Sequence, residues 1–284
     1  MIFNKHGFSV WIVDSGNNKL PEYQVQEIGG DTIQCWIPST EGTSFKILWK
    51  VVENLHPKYD LRTVPFLDGI QMTGKVSSKH TIVNGVPSQH YRQRTGASTA
   101  RLYEFGRRTL TDSDDHGKLD PSLLNSLNTV KLVVYRGHKG VPAPQKSFYI
   151  PQEIGAVNEK AVKKGHSGAA KLGSTIPVPT SYGISFKPYK KIKPITFVFC
   201  YAPEDWLRAR DIVPRDPEPD SQGRKSTLKR ERSITPGIID IDDLETDDEG
   251  AHIVKHVVPA PTTSNKKQRT WRQEDSMGPK AEED

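Results

Sequence analysis

The sequence predicts an all-β protein, an antiparallel β-sandwich with long loops and one short C-terminal helix, followed by a disordered tail. Most of the first 202 residues alternate apolar and polar side chains with a period of two, which is typical of half-buried strands. Of the 284 residues, 34% are hydrophobic, 21 are proline and 22 are glycine. This composition supplies one sizeable core. We therefore expect one β-sandwich domain over residues 5–214 and a disordered charged tail over residues 215–284.

About nine short strands account for the alternation, and their number and polar connections favour a sandwich. The clearest run over residues 8–12, 33–37, 45–51, 130–134 and 195–201, and weaker ones over Tyr23–Glu27, Thr99–Phe105 and Ile184–Phe186. Between residues 64–67 and 70–72, Asp68-Gly69 predicts a tight hairpin turn, because both central positions favour a positive φ.

Polar connections and two short helices complete the predicted domain. Long connections are expected over residues 77–98, 106–126 and 137–180, with a short helix at Asn158–Lys164 in the last. A second helix is predicted at Pro203–Arg210, because proline stands at its start, acids in its first turn and arginines in its last. Trp206 and Leu207 are expected to dock this helix on the body.

The sequence indicates a soluble, intracellular protein without membrane association. No apolar run approaches the roughly 20 residues that cross a bilayer, and the first residues have no apolar signal-peptide segment. The two cysteines, Cys35 and Cys200, lie in apolar strand-like runs, which predicts small core side chains.

Two short motifs resemble catalytic signatures but depart from them where the chemistry matters. Residues 69–76 nearly match a phosphate-binding loop, yet Val76 replaces the hydroxyl that would hold Mg²⁺, so a hairpin strand is expected. Residues 165–169 resemble a nucleophile elbow around Ser167, but Ala169 replaces the closing glycine. No cofactor or metal site is predicted, and an enzyme of unknown substrate on a β-sandwich remains an alternative.

A lysine-rich segment makes the body strongly basic. Residues 1–202 carry 26 Lys/Arg against 15 Asp/Glu, whereas residues 203–284 carry 14 against 19. Residues 139–193 alone contain ten lysines, two glutamates and no arginine. Lysines attract phosphates, and interleaved aromatic side chains stack on unpaired bases. Non-specific nucleic-acid binding is therefore one hypothesis, and an ordinary solvated loop is the other; the residues concerned are Lys187, Lys190, Lys191 and Lys193, with Tyr182, Phe186 and Tyr189 among them.

The tail contains a segment that resembles a SUMO-interacting motif. Ile238, Ile239 and Ile241 form an aliphatic stretch that runs into Asp242, Asp243 and further acids. Such a segment adds a strand to a partner's sheet edge, while its acids orient it against basic side chains. The alternative is an acidic solubilising stretch with incidental isoleucines.

Further tail residues fit modification and import signals. Lys229 stands in an apolar-Lys-x-Glu pattern typical of SUMO acceptor sites, Ser233 follows a basic stretch that kinases recognise, and Thr235 precedes a proline. Phosphate at Ser233 or Thr235 would add about −1.5 to −2 charges each and extend the acidic field. Basic clusters at residues 224–232 and 266–269 favour a nuclear location, with a cytoplasmic one as the alternative.

Several blocks of the body resemble one protein family. They are Leu20-Pro21-Glu22-Tyr23-Gln24-Val25, Cys35-Trp36-Ile37-Pro38-Ser39, Phe66-Leu67-Asp68-Gly69 and Phe197-Val198-Phe199-Cys200-Tyr201, followed by Leu207 and Pro214. The family is a group of fungal, mostly basidiomycete, proteins known only as a domain of unknown function. The resemblance covers about residues 5–214 and implies a β-rich intracellular domain, with no catalytic residue to carry over.

Three functional hypotheses follow from these patterns. The first is a non-enzymatic interaction module whose tail binds SUMO or SUMO-modified proteins. The second is a nucleic-acid-associated protein that binds through residues 139–193, and the third is an enzyme of unknown substrate.

Overall fold

The computed structural model of the protein describes residues 1–82, 84–112, 120–144, 147–159, 166–180 and 182–214. Within this part of the chain, 17 strands and two short α-helices form, so the all-β prediction is confirmed. The predicted tail, residues 215–284, lies outside the described residues.

The strands alternate with short turns along most of the chain. They are β1 (Ile2–Phe3), β2 (Phe8–Val13), β3 (Tyr23–Glu27), β4 (Thr32–Pro38), β5 (Lys46–Val51), β6 (Asp60–Leu67), β7 (Ile70–Gln71), β8 (Lys75–Ser77), β9 (Ser88–His90), β10 (Arg92–Arg94), β11 (Thr99–Arg107), β12 (Leu110–Thr111), β13 (Thr129–Pro144), β14 (Val157–Asn158), β15 (Gly168–Pro177), β16 (Tyr182–Pro188) and β17 (Ile195–Ala202). The helices are α1 (Pro121–Ser126) and α2 (Glu204–Ala209), and a 3₁₀ turn covers Asn4–His6.

These strands form three main sheets and one small pair. The largest sheet has the order β3-β4-β17-β13-β6-β7, with β16 also paired to β13 and β8 to β6. A second sheet has the order β1-β2-β5-β9, and a third has β10-β11-β15. Most strand pairs are antiparallel, as predicted, and two pairs, β17 with β4 and β12 with β14, run parallel.

The inner faces of the three main sheets share one hydrophobic core. Val10 of β2, Ile47 of β5, Cys35 of β4, Phe197 of β17 and Tyr103 of β11 are each fully buried in it. Cys200 is buried as well, so the prediction of core cysteines is confirmed. Burial raises the pKa of the Cys35 thiol to about 12, which keeps this sulfur protonated and inert.

Regions expected to be loops contain further strands. β9 and β10 lie within residues 77–98, and the second half of β13 together with β15 lies within residues 137–180. Most residues of β16 are exposed, so this strand needs no strict apolar alternation, and the sequence pattern weakens there. The predicted helix at Asn158–Lys164 is wrong at its start, because Asn158 belongs to β14; residues 160–165 lie outside the described part.

The Asp68-Gly69 turn is confirmed and proves to be the start of a buried polar network. Both residues have positive φ values, 49° and 85°. The Asp68 carboxylate is buried and accepts hydrogen bonds from Arg108 Nη2 at 2.6 Å and from the Tyr201 hydroxyl at 2.7 Å. The backbone N–H groups of Thr129 and Ala170 also donate to it. Burial raises the pKa of Asp68, while the Arg108 guanidinium and the other donors oppose that rise.

The C-terminal helix α2 docks as predicted. Leu207 is fully buried with Ala202, Ile212 and Val213, and the ring centroids of Trp206 and Trp36 lie 5.7 Å apart. The helix therefore covers the outer face of the largest sheet next to β4 and β17.

The variant Asp68→Asn is expected to lower the free energy of unfolding by about 3–5 kcal/mol. The substitution removes the negative charge that compensates Arg108 in the interior. It also leaves a single amide oxygen to accept the hydrogen bonds of four donors. Urea unfolding followed by tryptophan fluorescence measures the change. Asp120→Asn is the matched control, because Asp120 caps α1 at the surface and asparagine caps equally well. Equal unfolding midpoints for both variants would contradict the role assigned to Asp68.

A buried histidine links β9 to β6. His90 Nε2 lies 2.8 Å from Thr63 Oγ1, and both side chains are buried. Burial lowers the pKa of His90 to about 3, and nearby Lys75 contributes to the shift. The folded protein therefore keeps His90 neutral through the mildly acidic range.

His90 is expected to make the protein less stable as the pH falls. Below about pH 6.5 the unfolded chain binds a proton at His90 and the folded chain does not, so stability decreases with decreasing pH. From about pH 7.5 to about pH 5 this histidine alone contributes a loss of about 2 kcal/mol. Urea unfolding across this range should show a shallower pH dependence in His90→Gln than in the wild-type protein. Identical pH profiles for His90→Gln and wild type would refute this assignment.

Candidate nucleic-acid interface

The pairing of β13 with β16 brings the first and the last described parts of the lysine-rich segment side by side. His138 lies opposite Lys187 and Gly137 opposite Pro188 in the register of this pair. A Cβ atom at Gly137 would lie 2.3 Å from the backbone oxygen of Lys187, so only glycine permits this close approach. Because Gly137 has no side chain, the end of β16 can pack directly against β13.

Three aromatic rings from distant parts of the sequence meet where β16 ends. Tyr189 stacks on Tyr59 with ring centroids 4.9 Å apart and an interplanar angle of 28°, and His138 lies 5.6 Å from Tyr59. Desolvation in this stack raises the pKa of Tyr59, and the interaction with the Tyr189 hydroxyl adds to the shift. Both tyrosines are half-buried and His138 is exposed, so part of the stack faces solvent.

Exposed lysines surround these rings. Lys187 lies across the strand pair from His138, Lys190 and Lys191 follow Tyr189 directly, and Lys193 lies two residues further on. Lys58 is exposed next to Tyr59. We call this set the lysine–tyrosine surface; it consists of Lys58, Tyr59, His138, Lys187, Tyr189, Lys190, Lys191 and Lys193.

One acid lies in the segments that build the lysine–tyrosine surface, and it is buried. Asp60 accepts backbone N–H groups from Lys79 at 2.8 Å and Lys139 at 2.9 Å. Burial opposes ionisation, but these two donors and the charges of the same lysines hold the pKa of Asp60 below its usual value. One carboxylate therefore lies beneath several exposed lysines, and the surface keeps a net positive charge.

The structure brings together residues that the sequence separates. Lys187, Lys190, Lys191 and Lys193 are exposed, and Tyr189 joins them in the lysine–tyrosine surface. Tyr59 and His138 were not among the predicted residues. The segment His56-Pro57-Lys58-Tyr59, basic and aromatic directly before a strand, is the sequence signal for Tyr59.

Tyr182 and Phe186, the other aromatic residues predicted for the interface, line a separate groove. Tyr182, 71% exposed, lies at the far end of β16, and Phe186 lies opposite Lys139. Both border an open groove of about 670 Å³, which also contains Tyr149 and the basic residues Arg62 and Arg94. Tyr182 is therefore not part of the aromatic stack.

A cavity of about 400 Å³ contains the residues of the elbow-like motif. His166, Ser167, Glu41 and Glu159 line it. A serine nucleophile needs a base that takes its proton. Here Ser167 Oγ accepts a hydrogen bond from Arg107 Nε at 3.2 Å, and His166 Nδ1 accepts one from the Gly168 N–H at 3.2 Å. The partner of Ser167 Oγ in this contact is a guanidinium, which cannot take a proton from the hydroxyl, so the contact does not support the hydrolase motif.

The near match to a phosphate-binding loop is a hairpin in the structure. Ile70–Gln71 forms β7 and Lys75–Ser77 forms β8, and both strands pair with β6. A strand therefore stands where such a loop would require a helix, as expected from the sequence.

The predicted residues of the tail lie outside the described residues. They are Ile238, Ile239, Ile241, Asp242 and Asp243 of the SUMO-interaction-like motif and Lys229, Ser233 and Thr235 of the modification sites.

Within the described part of the chain, no group of three or more His, Cys, Asp or Glu side chains is placed to bind one metal ion. No helix of the same part is long and apolar enough to cross a membrane.

The fold and surface define an all-β domain with mixed sheets and a basic, aromatic patch at one strand pair. The chain belongs to the family described as "Domain of unknown function (DUF7918)", whose model matches residues 10–216. Neither the curated proteins nor the solved structures contain a match to the chain.

Proposed function

We propose that the β-sandwich body binds single-stranded nucleic acid through the lysine–tyrosine surface, without strong sequence preference. The observation that carries this proposal is the Tyr59–Tyr189 stack among exposed lysines. Lysines follow a phosphate backbone, and tyrosine rings stack on unpaired bases of any sequence.

The chemistry of the surface supports binding by charge and stacking rather than by base readout. Bidentate recognition of base edges is typical of arginine, and residues 139–193 contain none. Arg136, the arginine nearest to this surface in the sequence, is buried and donates to the backbone oxygen of His6. Charge and stacking therefore provide affinity, while base identity contributes little.

Replacement of Lys187, Lys190, Lys191 and Lys193 by glutamine is expected to weaken binding to a single-stranded oligonucleotide. Each lysine that contacts a phosphate contributes about 0.7 to the slope of log affinity against log salt concentration, so the slope should become shallower by up to about 2.8. Fluorescence anisotropy at several salt concentrations measures this slope.

Two controls distinguish a defined surface from general attraction to a basic protein. The same number of charges is removed by replacing four exposed basic residues on other elements, namely Lys19, Lys171, Arg208 and Arg210. This variant should keep the wild-type slope. Tyr189→Ala should cost about 1–3 kcal/mol of binding, whereas Tyr182→Ala, at the far end of β16, should cost little. Equal losses in both charge variants would contradict the proposed surface.

A second function is proposed for the tail, on the evidence of its sequence. Ile238, Ile239 and Ile241 followed by Asp242 and Asp243 have the composition of a strand that pairs with a partner's sheet edge. We infer that this segment recruits SUMO or SUMO-modified proteins, with affinity of about micromolar order because ordering the segment costs entropy. Lys229, Ser233 and Thr235 are proposed as modification sites beside it.

Replacement of Ile238, Ile239 and Ile241 by alanine is expected to abolish binding of purified SUMO by the full-length protein. The change removes the side chains that fill the partner's groove and leaves the body untouched. Isothermal titration measures the loss, and the unfolding midpoint of the body should stay constant. Replacement of Ile253, Val254 and Val257, another aliphatic set of the tail, is the control and should leave SUMO affinity unchanged. Unchanged affinity in the triple isoleucine variant would refute the motif.

We also propose a nuclear location in a fungal cell. The basic clusters at residues 224–232 and 266–269 support nuclear import, and the family resemblance supports a fungal origin. A nuclear protein with both proposed surfaces would bring SUMO-modified partners to nucleic acid.

A further inference from the structure

One edge of β16 has no partner strand within the described part of the chain. β16 pairs with β13 alone among the strands that the structure describes. Tyr182–Pro188 therefore has one row of backbone N–H and C=O groups that no described strand satisfies. Such an edge is a template for another extended chain, which adds to the sheet through main-chain hydrogen bonds.

The free edge of β16 borders the open groove of about 670 Å³ that Tyr182 and Phe186 line. Five consecutive residues of β16, 182–186, line this groove, whereas none of the described residues of β13 does. Because β13 occupies the other edge of β16, the groove lies along the edge that is free. Residues 71–76 form the opposite wall. A strand added to β16 would therefore lie inside a groove with walls on both sides.

Apolar side chains of this groove are exposed to solvent. Tyr182 is 71% exposed, Tyr149 54% and Ile184 39%, and the half-buried Phe186 lines the same groove. Tyr182, Ile184 and Phe186 alternate along β16, so they share one face of the strand. Exposed apolar groups gathered in one place are typical of interaction sites. An added strand is thus expected to place apolar side chains on this face.

The charges of the groove favour an acidic partner. Arg62, Lys75 and Arg94 line it, and no acid of the described chain does. None of these three forms an ion pair with a described residue. Lys75 Nζ donates to Ser88 Oγ, and Arg94 Nη1 donates to the backbone oxygen of Ala97, so both acceptors are neutral. A second copy of the chain would add the same positive charges, whereas an acidic partner compensates them.

From these observations we propose that β16 accepts, as an added strand, an extended peptide segment of alternating acidic and aliphatic residues from a partner protein. The peptide backbone pairs with the free edge of β16, its aliphatic side chains pack on the face of Tyr182, Ile184 and Phe186, and its carboxylates meet the positive charges of the groove. A peptide fits this edge better than nucleic acid does, because a sugar-phosphate backbone offers no N–H donors to a strand. The groove contains no residue of the lysine–tyrosine surface, so this site is independent of the nucleic-acid proposal.

The test is fluorescence anisotropy of a labelled heptapeptide of alternating glutamate and valine, titrated with the full-length protein. The first comparison is the same peptide with two adjacent central residues N-methylated. Methylation keeps every charge and side chain but removes two N–H donors, so this peptide should bind about tenfold more weakly. A second comparison replaces each glutamate by lysine, and this basic peptide should not bind at the same concentrations.

Two tyrosine variants distinguish the groove from the lysine–tyrosine surface. Tyr182→Ala removes an exposed ring from the groove and should weaken peptide binding about two- to fivefold. Tyr189→Ala, outside the groove, should keep the wild-type peptide affinity. The opposite pattern is expected for a single-stranded oligonucleotide, so failure of one proposal is distinguishable from failure of the other.

Two charge variants test the cations in the same way. Arg62→Gln combined with Lys75→Gln should weaken peptide binding about three- to tenfold, because both positive charges line the groove. Lys190→Gln combined with Lys191→Gln removes equal charge from outside the groove and should keep the peptide affinity. At about 0.15 M salt the Debye length is about 8 Å, so charges farther away than this contribute little. Unfolding midpoints verify that each variant is folded.

Several results would overturn the proposal. Equal affinity for the plain and the N-methylated peptide would exclude strand addition, and equal affinity in Tyr182→Ala and Tyr189→Ala would exclude this groove. A dimer of the protein that Tyr182→Ala dissociates would assign the edge to a second copy. Displacement of the peptide by a single-stranded oligonucleotide in the variant without Lys190 and Lys191 would assign the groove to nucleic acid. Absence of peptide binding at about millimolar concentration also counts against the proposal.

Discussion

One buried carboxylate holds this domain together at a point where five segments meet. Asp68 stands in the turn between β6 and β7, and its four donors come from the end of β11, the starts of β13 and β15, and the end of β17. A charge in the interior is tolerated only when it is paired and fully hydrogen-bonded, so each of these segments must reach the same place. The third sheet is thereby tied to the largest one through polar contacts as well as through the shared apolar core.

The turn at Asp68 could be predicted from the sequence, and the network around its side chain could not. Asp-Gly favours the positive φ values that are observed, because this preference is local. The donors are 40, 61, 102 and 133 residues away along the chain, so no local pattern indicates them. The same reason explains the parallel pairing of β17 with β4. Each strand has a clear alternation of its own, but their adjacency is decided by tertiary packing.

The lysine–tyrosine surface could be predicted from the sequence in part. Its lysines and Tyr189 belong to one compositionally unusual segment, so the sequence indicates them directly. Tyr59 comes from a different part of the chain and reaches the surface because Asp60 pairs with Gly137 at the start of β6. Strand pairing therefore turns a basic segment into a surface with stacked rings. The stacked rings matter for the nucleic-acid hypothesis, because stacking on bases would add contacts that lysine charges alone do not provide.

The place of β17 in the largest sheet has a consequence for how the protein reaches its folded state. β17 is the last strand of the described chain, yet it lies in the interior of the sheet, between β4 and β13. During synthesis β4 and β13 emerge earlier and keep unpaired edges until β17 leaves the ribosome. Non-local pairing of this kind is slow and exposes aggregation-prone edges. The largest sheet is thus expected to close only after β17 has emerged, so these two edges stay exposed until most of the domain has been synthesised.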